Sequence, residues 1–512
     1  MVFFDKDKNQ SSKSLDINMG KVKEILKDCG DIIYKDFFVG EAQNLRFTVI
    51  YIDGMSDSVT LNDGVLTPLM VYARGVLPET PKQGEKLYQL VRYGNMPVGE
   101  LSETTDLNEA ILSILIGDAV LFIDGVDKLT IIGAKGWPAR GVSEPSTEAV
   151  IRGSRDGFVE SFRMNTALVR RRIRDPKLKL RQVQVGRRSN TDVGIFYIED
   201  IAHSELVDET VRRIDTIDID AVLDSGYIEQ LIEDDPYSPF PQMIATERPD
   251  QVAAELYEGR VAIIVDNSPF ALIVPATLNS LFQSAEDYYD RWIIASVLRV
   301  IRFTSSLLAM ILPSLYIVLT SYHTGILPTK LVLSIAASRE GVPFPAIVEA
   351  FTMEFTLELL REAGIRLPVA IGDTIGIVGG LVIGEAAVRA GIVSPIMVVI
   401  VAITAIASFA NPSYNLSVGF RLLRFSLMVV SAILGLYGLM LGLILIFVHL
   451  IQLKSFNIPY LSPFVSADFS DYKDTVYRAP LFDMIRRPQK ISKNPVRMKN
   501  NRRAIKKDRS GR

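Results

Sequence analysis

The sequence contains very few of the residues that build metal centres and disulfide frameworks. Cys29 is the only cysteine among 512 residues, which excludes an internal disulfide and a thiolate metal site. The three histidines, His203, His323 and His449, lie far apart without the spacing of metal ligands. The sequence also has no Walker-type phosphate loop and no GxGxxG after a predicted strand. We therefore expect a protein that is not an enzyme and that uses no metal or cofactor.

Before Phe303 the chain has no apolar run long enough to cross a membrane, and its N-terminus lacks the apolar core of a secretion signal. We therefore expect no signal peptide and a cytosolic location for this half. Short apolar runs beside Gly-containing turn signals indicate an α/β region of two subdomains, 1–140 and 141–292. The predicted elements include strands at Leu45–Ile52, Ala119–Ile123, Lys128–Gly133, Leu178–Val185, Asp192–Glu199 and Arg260–Asp266, and a helix at Ser204–Ile217 with Ser204 as its N-cap.

A basic run at Arg170–Arg174, followed by more Lys and Arg up to Arg188, is the feature of this half that suggests nucleic acid. It has no interleaved aromatic residues, and the surrounding sequence is acidic, so we expect no nucleic-acid partner. A salt-bridged contact with another subunit, or contact with phospholipid headgroups, fits the pattern better.

From Phe303 onward the chain becomes strongly apolar, which indicates an α-helical transmembrane domain, 293–452, of about four crossings. Two segments compete for the second crossing, Pro345–Arg361 and Ile371–Ala387. The other crossings are predicted at Phe303–Leu319, Ile392–Ala410 and Phe425–His449.

The chain then closes on a basic cytosolic tail, 453–512. About twelve Lys and Arg lie from Arg486 to the last residue against Asp508 alone, which predicts attraction to anionic membrane lipid. A solubilising, disordered tail is compatible with the same composition. An even number of crossings then leaves both the N- and C-termini in the cytosol.

Charged residues recur inside the first of the two competing segments. Glu354, Glu358 and Arg361 have the spacing of one helix face, and neighbouring carboxylates disfavour each other's ionised form unless a cation or Arg361 offsets the charge. Ionisable residues inside a membrane are functional by default, which makes both glutamates candidates for a cation site. An amphipathic helix lying at the membrane interface explains the pattern equally well.

Glycine recurs every four residues in the second competing segment and forms a stripe that favours close helix packing in lipid. The stripe consists of Gly372, Gly376, Gly380 and Gly384, and Gly438 and Gly442 repeat the spacing in the last crossing. The face opposite the stripe carries Thr374, Val378, Val382, Glu385 and Arg389. In a ring of such helices the valines would form a hydrophobic gate, with a charged ring at one mouth. A bundle helix whose valines touch lipid accounts for the same periodicity.

Three blocks of residues are specific when taken together. The first runs from Glu144-Pro145 through Ile151-Arg-Gly153 and Gly157-Phe158 to Arg171-Arg172. The second contains Pro239-Phe-Pro-Gln242, Thr246-Glu-Arg-Pro-Asp250, Asp266-Asn-Ser-Pro269 and Asp287-Tyr-Tyr289. The third joins Phe355–Gly364 and Arg366-Leu-Pro368 to the glycine stripe and Asn411-Pro412. Over residues 20–485 the chain resembles the A subunit of the GerA-family spore germinant receptors.

The resemblance implies a multi-pass protein of the spore inner membrane. It also implies a nutrient-binding B subunit similar to amino-acid transporters, a lipoprotein C subunit, and a homo-oligomeric ring, a pentamer, that conducts monovalent cations during germination. With this implication the pore interpretation of Val378 and Val382 is favoured. Two alternatives remain open: a scaffold subunit that does not conduct, and a paralogue that amplifies ion release without sensing nutrient.

Overall fold

The computed structural model describes residues 9–39, 45–70, 100–136, 144–145, 148, 150–366, 384–465 and 471–498. The chain forms two compact units. The first unit comprises Met1–Glu233, Met243–Pro275 and Arg486–Lys499, and the second comprises Asp234–Gln242, Ala276–Ile485 and Asn500–Arg512. The first unit is built from two sheets with their helices, and the second is built mainly from helices.

The first sheet is a five-stranded antiparallel sheet with the order β1-β2-β4-β5-β3. Its central strand β4 is apolar at every position and completely buried, because helices cover both faces of the sheet. The predicted strands Ala119–Ile123 and Lys128–Gly133 are confirmed, and β4 pairs with β5 in antiparallel register to form a hairpin. The elements are α1 Leu15–Ile25, β1 Ile32–Val39, β2 Leu45–Ile52, α2 Ser58–Leu61, a π-helical turn Asn62–Leu66, α3 Thr67–Met70, β3 Leu101–Thr104, α4 Leu107–Ile116, β4 Ala119–Ile123 and β5 Leu129–Ile132.

The second sheet is also antiparallel, with the order β6-β7-β9-β10-β8. The strands Leu178–Val185, Thr191–Ile198 and Val261–Val265 lie within one residue of the predicted bounds, whereas Ile244–Thr246 and Ala271–Val274 were not predicted. The N-cap of α6 is His203 and not Ser204. The carbonyl of His203 already accepts the N–H groups of Leu206 and Val207, so the helix begins one residue earlier. The elements are α5 Phe162–Arg172, β6 Leu178–Val185, β7 Thr191–Ile198, α6 Ser204–Asp215, α7 Ser225–Ile232, β8 Ile244–Thr246, α8 Pro249–Tyr257, β9 Val261–Val265 and β10 Ala271–Val274.

The basic run of α5 and β6 is largely neutralised within the first unit. Arg170 is fully buried, and its Nε and Nη2 donate to the two carboxylate oxygens of Asp31 at 2.6 and 2.8 Å, which ties α5 to the first sheet. Further pairs on the same unit are Arg172–Asp156, Lys177–Asp200, Lys179–Glu199, Arg181–Asp208, Arg187–Asp218 and Arg188–Asp220. These internal pairs account for the run without the subunit or headgroup contact that the sequence suggested.

Residues 486–498, from the predicted basic tail, pack against the first unit. Arg487 Nε donates to the carbonyl of Tyr257 at the end of α8, and the backbone N–H of Lys493 donates to the carbonyl of Ile201 at 2.7 Å. Arg497 forms an ion pair with Glu258. This part of the tail is therefore folded structure, although the sequence suggested a disordered segment.

The second unit contains the apolar helices. Among the described residues, Trp292–Ser321 and Tyr414–Gln452 are long and apolar enough to cross a membrane, judged by length and composition. Of the two segments that competed for the second crossing, the first forms a continuous helix, whereas Ile371–Ala387 lies mostly outside the described residues. The elements are α9 Leu278–Phe282, α10 Glu286–Tyr289, α11 Trp292–Ser321, α12 Thr329–Arg339, α13 Ala346–Arg366, α14 Gly384–Arg389, α15 Pro395–Phe409, α16 Tyr414–Gln452, β11 Lys454–Ser455 and β12 Ile458–Pro459.

The helix α16 is a hairpin and not a straight rod. Gly435 has φ 60° and ψ −139°, which breaks the helix into a first arm, 414–434, and a second arm, 436–452. A Cβ at Gly442 would lie 2.5 Å from Leu427 Cδ2, although fifteen residues of straight helix would separate these positions by about 22 Å. The single straight crossing predicted at Phe425–His449 is therefore wrong. Each arm is about 25–32 Å long, so each is comparable to the hydrocarbon thickness of a bilayer.

Candidate functional site

The helices of the second unit share two ends. At the first end, the Phe282 ring lies 4.1 Å from that of Phe303 in α11 and 6.2 Å from that of Phe420 in the first arm. Phe240 contacts both Phe420 and His449, which brings the start of the first arm beside the end of the second. At the second end, the Tyr322 ring packs on the hairpin turn, with its Cγ 3.1 Å from a Cβ placed on Gly435.

A buried polar cluster fixes the second end. Glu349, in the first turn of α13, accepts the backbone N–H of Ser394 at 3.1 Å and its hydroxyl at 2.8 Å. The other carboxylate oxygen of Glu349 accepts Arg339 Nε at 3.0 Å, and Tyr316 OH lies 3.3 Å from Ser394 Oγ. Ser394 is the N-cap of α15, so both α13 and α15 begin at this end, where α11 finishes.

A second cluster joins α13 to the first arm and carries most of the charge inside the bundle. Arg424, which is fully buried, donates from Nη2 to Glu358 Oε1 at 3.0 Å, and the same nitrogen lies 3.0 Å from Glu354 Oε2. Arg361 donates to Glu358 Oε1 at 3.1 Å, and Arg421 Nη1 lies 3.7 Å from Glu358 Oε2. Two carboxylates therefore face three guanidinium groups.

The same cluster reaches α15. Arg361 Nη2 donates to Ser408 Oγ at 3.0 Å, and its guanidinium lies 4.9 Å from the Phe409 ring. Both residues stand in the last turn of α15. One set of charges consequently holds three helices together, and a cation that coordinates Glu358 has to compete with two arginines that already donate to it.

A third cluster surrounds Asp287 at the base of α11. The buried Asp287 carboxylate accepts Arg299 Nε at 2.9 Å and Arg302 Nη1 at 2.8 Å. Arg299 also donates to Asp474 at 2.7 Å, and Arg478 donates to the Asp287 carbonyl at 2.6 Å. These bonds attach the segment 471–479 to the start of the helix.

The polarity of the second unit is inverted relative to a water-soluble fold. Glu349, Glu354, Arg299 and Arg424 are fully buried, whereas large apolar side chains point outward. Ile406, Phe409, Ile433 and Tyr437 each expose 70% or more of their surface. An apolar exterior around internal charges is the pattern expected of a membrane-embedded bundle.

Apart from Glu354 and Glu358, the sequence-predicted site residues fall into three groups. Thr374, Val378, Val382, Gly372, Gly376 and Gly380 lie outside the described residues. Gly384 opens α14, where a Cβ would be 3.4 Å from Val398, and Glu385 pairs with Arg389 at 2.5 Å on an exposed surface of that helix. Gly438 and Gly442 lie in the second arm and face the first, where added Cβ atoms would meet Val430, Leu434 and Leu427.

Sequence reasoning found Glu354, Glu358 and Arg361 but missed the groups that pair with them. Arg421 and Arg424 come just before the predicted fourth crossing, so the sequence indicates charged residues at the membrane surface and not inside the bundle. Glu349 and Asp287 were missed although Arg339 lies only 10 residues from Glu349 and Arg299 only 12 residues from Asp287. The signal available for Arg424 was a charge next to a continuous apolar run, which in a membrane calls for an opposite charge on another helix.

The α/β region, the helical bundle with its apolar exterior and the buried charged clusters indicate a protein with a membrane-embedded helical part. The chain matches the family described as Bacillus/Clostridium GerA spore germination protein over residues 20–490. It therefore belongs to the GerA family.

Individual relatives extend over nearly the whole chain. Spore germination protein KA of Bacillus subtilis (strain 168) is 42% identical over 482 residues, covering 94% of this chain and 87% of that protein. The uncharacterized membrane protein YfkQ of the same organism is 43% identical, covering 94% and 92%. GerLA of Bacillus cereus, another spore germination protein, is 44% identical over 444 residues, covering 87% and 89%.

A solved structure is also similar in sequence. It is the crystal structure of the N-terminal domain of the A subunit of the Bacillus megaterium spore germinant receptor GerK3. It shares 34% identity with this chain, with a TM-score of 0.41, and covers 52% of this chain and 97% of that domain.

Proposed function

We propose that this chain is the A-type subunit of a nutrient germinant receptor in the spore inner membrane, where an oligomeric ring of copies releases monovalent cations to trigger germination. The observation that carries the membrane role is the apolar exterior of the helical bundle around the buried charges of Glu354, Arg299 and Arg424. Membership of the GerA family supports the role in germination. The proposed partners are a transporter-like B subunit, a lipoprotein C subunit, anionic membrane lipid and four further copies of this chain.

In this proposal the segment 371–387 lines the pore. Thr374, Val378 and Val382 form its constriction, the glycine stripe packs against a neighbouring helix, and Glu385 with Arg389 stands at one mouth. The exposed position of that ion pair at the second end of the bundle supports this placement. The pairing of Glu354 and Glu358 with arginines favours a role in holding α13 against the first arm over direct coordination of the permeant cation.

We further propose six passes through the membrane in place of four. Because α13 and α15 both begin at the second end and finish near the first, the chain has to change ends between Arg366 and Gly384. The hairpin then adds one pass in each direction. With α11, these segments give an even number of passes and leave both termini cytosolic.

Protease protection tests this topology. Tags fused to the N-terminus and after Arg512 should both resist external protease in sealed right-side-out vesicles, while a cleavage site inserted at Gly435 should be cut. Resistance at Gly435, or cleavage of either terminal tag, would refute the six-pass arrangement.

A subunit that acts as a non-conducting scaffold is the second candidate, and the internal pairing of Glu358 with two arginines favours it. Potassium flux separates the two functions. The purified chain is reconstituted in liposomes with and without its B partner, and cation release is followed with a potassium-sensitive dye. Potassium flux that is seen only in liposomes containing this chain supports the channel. Flux that is the same in liposomes containing the B partner without this chain supports the scaffold.

A further inference from the structure

The strand β6 is an edge of the second sheet and is only partly covered. At its start, the chain's own residues 28–30 add to it in parallel: Leu180 N–H donates to the Asp28 carbonyl at 3.0 Å, and Gly30 N–H donates to the Leu180 carbonyl at 2.9 Å. After Gly30 the chain leaves β6 and enters β1, which is the edge strand of the other sheet. The rest of the β6 edge continues without this partner.

The exposed part of the edge has backbone groups free for pairing. Backbone groups alternate in direction along a strand, so Gln182 and Gln184 point away from β7 in the same sense as Leu180. Within the described part of the chain, no hydrogen bond covers the outward N–H or C=O of either residue. Two residues thus offer two donors and two acceptors at the spacing that an extended chain requires.

A cleft of about 490 Å³ opens beside this edge. Apolar side chains line it, namely Leu26, Tyr34, Val183 and Val211. Two cations stand at its rim: Lys23 is exposed, with its Nζ 5.5 Å from the Tyr34 ring, and Arg181 contacts its acid, Asp208, only at 3.8 Å. The acid that also lines the cleft, Asp28, lies at the end already occupied by the chain's own strand.

We propose that this cleft binds an extended peptide segment of a partner protein, which adds as a strand to β6 at Gln182 and Gln184. Main-chain hydrogen bonds would supply affinity, and alternate side chains would supply specificity, as in other cases of strand addition. Apolar side chains of the segment would enter the cleft, and acidic ones would face Lys23 and Arg181. The occupant is therefore a segment in which apolar and acidic residues alternate.

The test uses the full chain in lipid nanodiscs and a labelled peptide of alternating Val and Glu, with binding followed by fluorescence anisotropy. The same peptide, N-methylated at the amides that would face β6, is the control for backbone pairing. We expect the N-methylated peptide to bind about tenfold more weakly or worse, because it can no longer donate its main-chain hydrogen bonds to β6. Equal binding of both peptides would overturn the proposal in favour of a small-molecule or side-chain site.

Variants of the protein give the second arm of the test. Gln184→Pro removes one outward N–H, and proline is tolerated on edge strands, whereas Gln184→Ala keeps that N–H. We expect Gln184→Pro to weaken peptide binding about tenfold and Gln184→Ala to leave it unchanged, with Cys29 protection confirming the fold of both. Equal losses in the two variants refute strand addition. A third outcome is that the parent protein binds no peptide and Gln184→Pro changes the oligomeric state. This result shows that a second copy of the chain occupies the edge, and it also overturns the proposal.

Discussion

Replacing Arg170 should loosen the connection between the two sheets of the first unit. Its guanidinium is completely buried and makes three hydrogen bonds, two to Asp31 and one from Nη1 to the Leu178 carbonyl at 2.8 Å. Arg170→Met keeps much of the side-chain volume but leaves the Asp31 carboxylate buried without its cation. The cost arises mainly from that orphaned charge.

The magnitude follows from the burial of both partners, whose side chains are 0% and 1% exposed. Breaking a buried ion pair from one side costs about 3–5 kcal/mol. Since about 1.4 kcal/mol is a factor of ten, the population in which this region is open should rise by about a hundredfold to a few thousandfold.

The alkylation rate of Cys29 reports this opening. This residue is the only cysteine, it lies beside the Arg170 site at the Leu180 bridge, and burial raises the pKa of its thiol. Alkylation therefore requires the region to open, and the labelling rate of the full chain in nanodiscs reports the opening equilibrium. Arg170→Met should accelerate labelling of Cys29 by the factor given above.

Two further variants make the result decisive. Arg187→Ala removes a pair whose side chains are 64% and 66% exposed, where solvent screens the attraction, so the labelling rate of Cys29 should stay close to that of the parent. The double variant Arg170→Met/Asp31→Leu replaces the pair by apolar groups and should recover much of the protection. The argument about the orphaned charge is refuted if Cys29 in Arg170→Met is labelled at the rate of the parent. It is also refuted if the destabilisation of the double variant equals the sum of those measured for Arg170→Met and Asp31→Leu alone.

Three predictions concern the helical unit. Gly435→Ala should lower the melting temperature, because a φ of +60° costs a non-glycine residue about 1–3 kcal/mol and the added Cβ would meet Tyr322. Gly20→Ala is the control, since a Cβ there has open space and should leave the melting temperature unchanged. Equal melting temperatures of the two variants would refute the hairpin turn. Arg424→Met should lower the free energy of unfolding, measured by thermal unfolding, by about 3–5 kcal/mol, because it leaves buried carboxylates without their cation. Arg389→Met, in an exposed pair, should lower it by less than about 1 kcal/mol. Equal losses in the two variants would argue against the buried cluster. Val378→Ala and Val382→Ser should leak potassium from liposomes, while Gly380→Leu should lower subunit abundance, and the reverse assignment of these effects would place the pore on the glycine face.

The strands that were predicted could be found because their signals are local, whereas β1, β3, β8 and β10 were not predicted. Ala119–Ile123 is an uninterrupted apolar run followed by Asp124-Gly125, and both the strand and its turn depend on those few residues. The cap of α6 was misplaced by one residue because His203 has no capping side chain in use, and a sequence pattern cannot reveal where the first carbonyl accepts its bonds.

The hairpin could not be read from hydrophobicity. Phe425–His449 is apolar throughout, and a straight helix and two packed arms have the same composition. The distinguishing feature is the backbone of Gly435, together with the contact between Gly442 and Leu427. Likewise, Glu358 and Arg424 are separated by 66 residues, so their pairing is a property of helix packing that a single sequence does not encode locally.

The packing of residues 486–498 on the first unit has a consequence for biosynthesis. Arg487 completes the end of α8 by bonding to Tyr257, a residue made 230 positions earlier. Between these two points lie both long apolar helices, α11 and α16, which are made before the segment that completes the first unit. The first unit therefore remains unfinished until this final segment has been made, and a stalled or truncated chain would present its uncovered surface to chaperones and proteases.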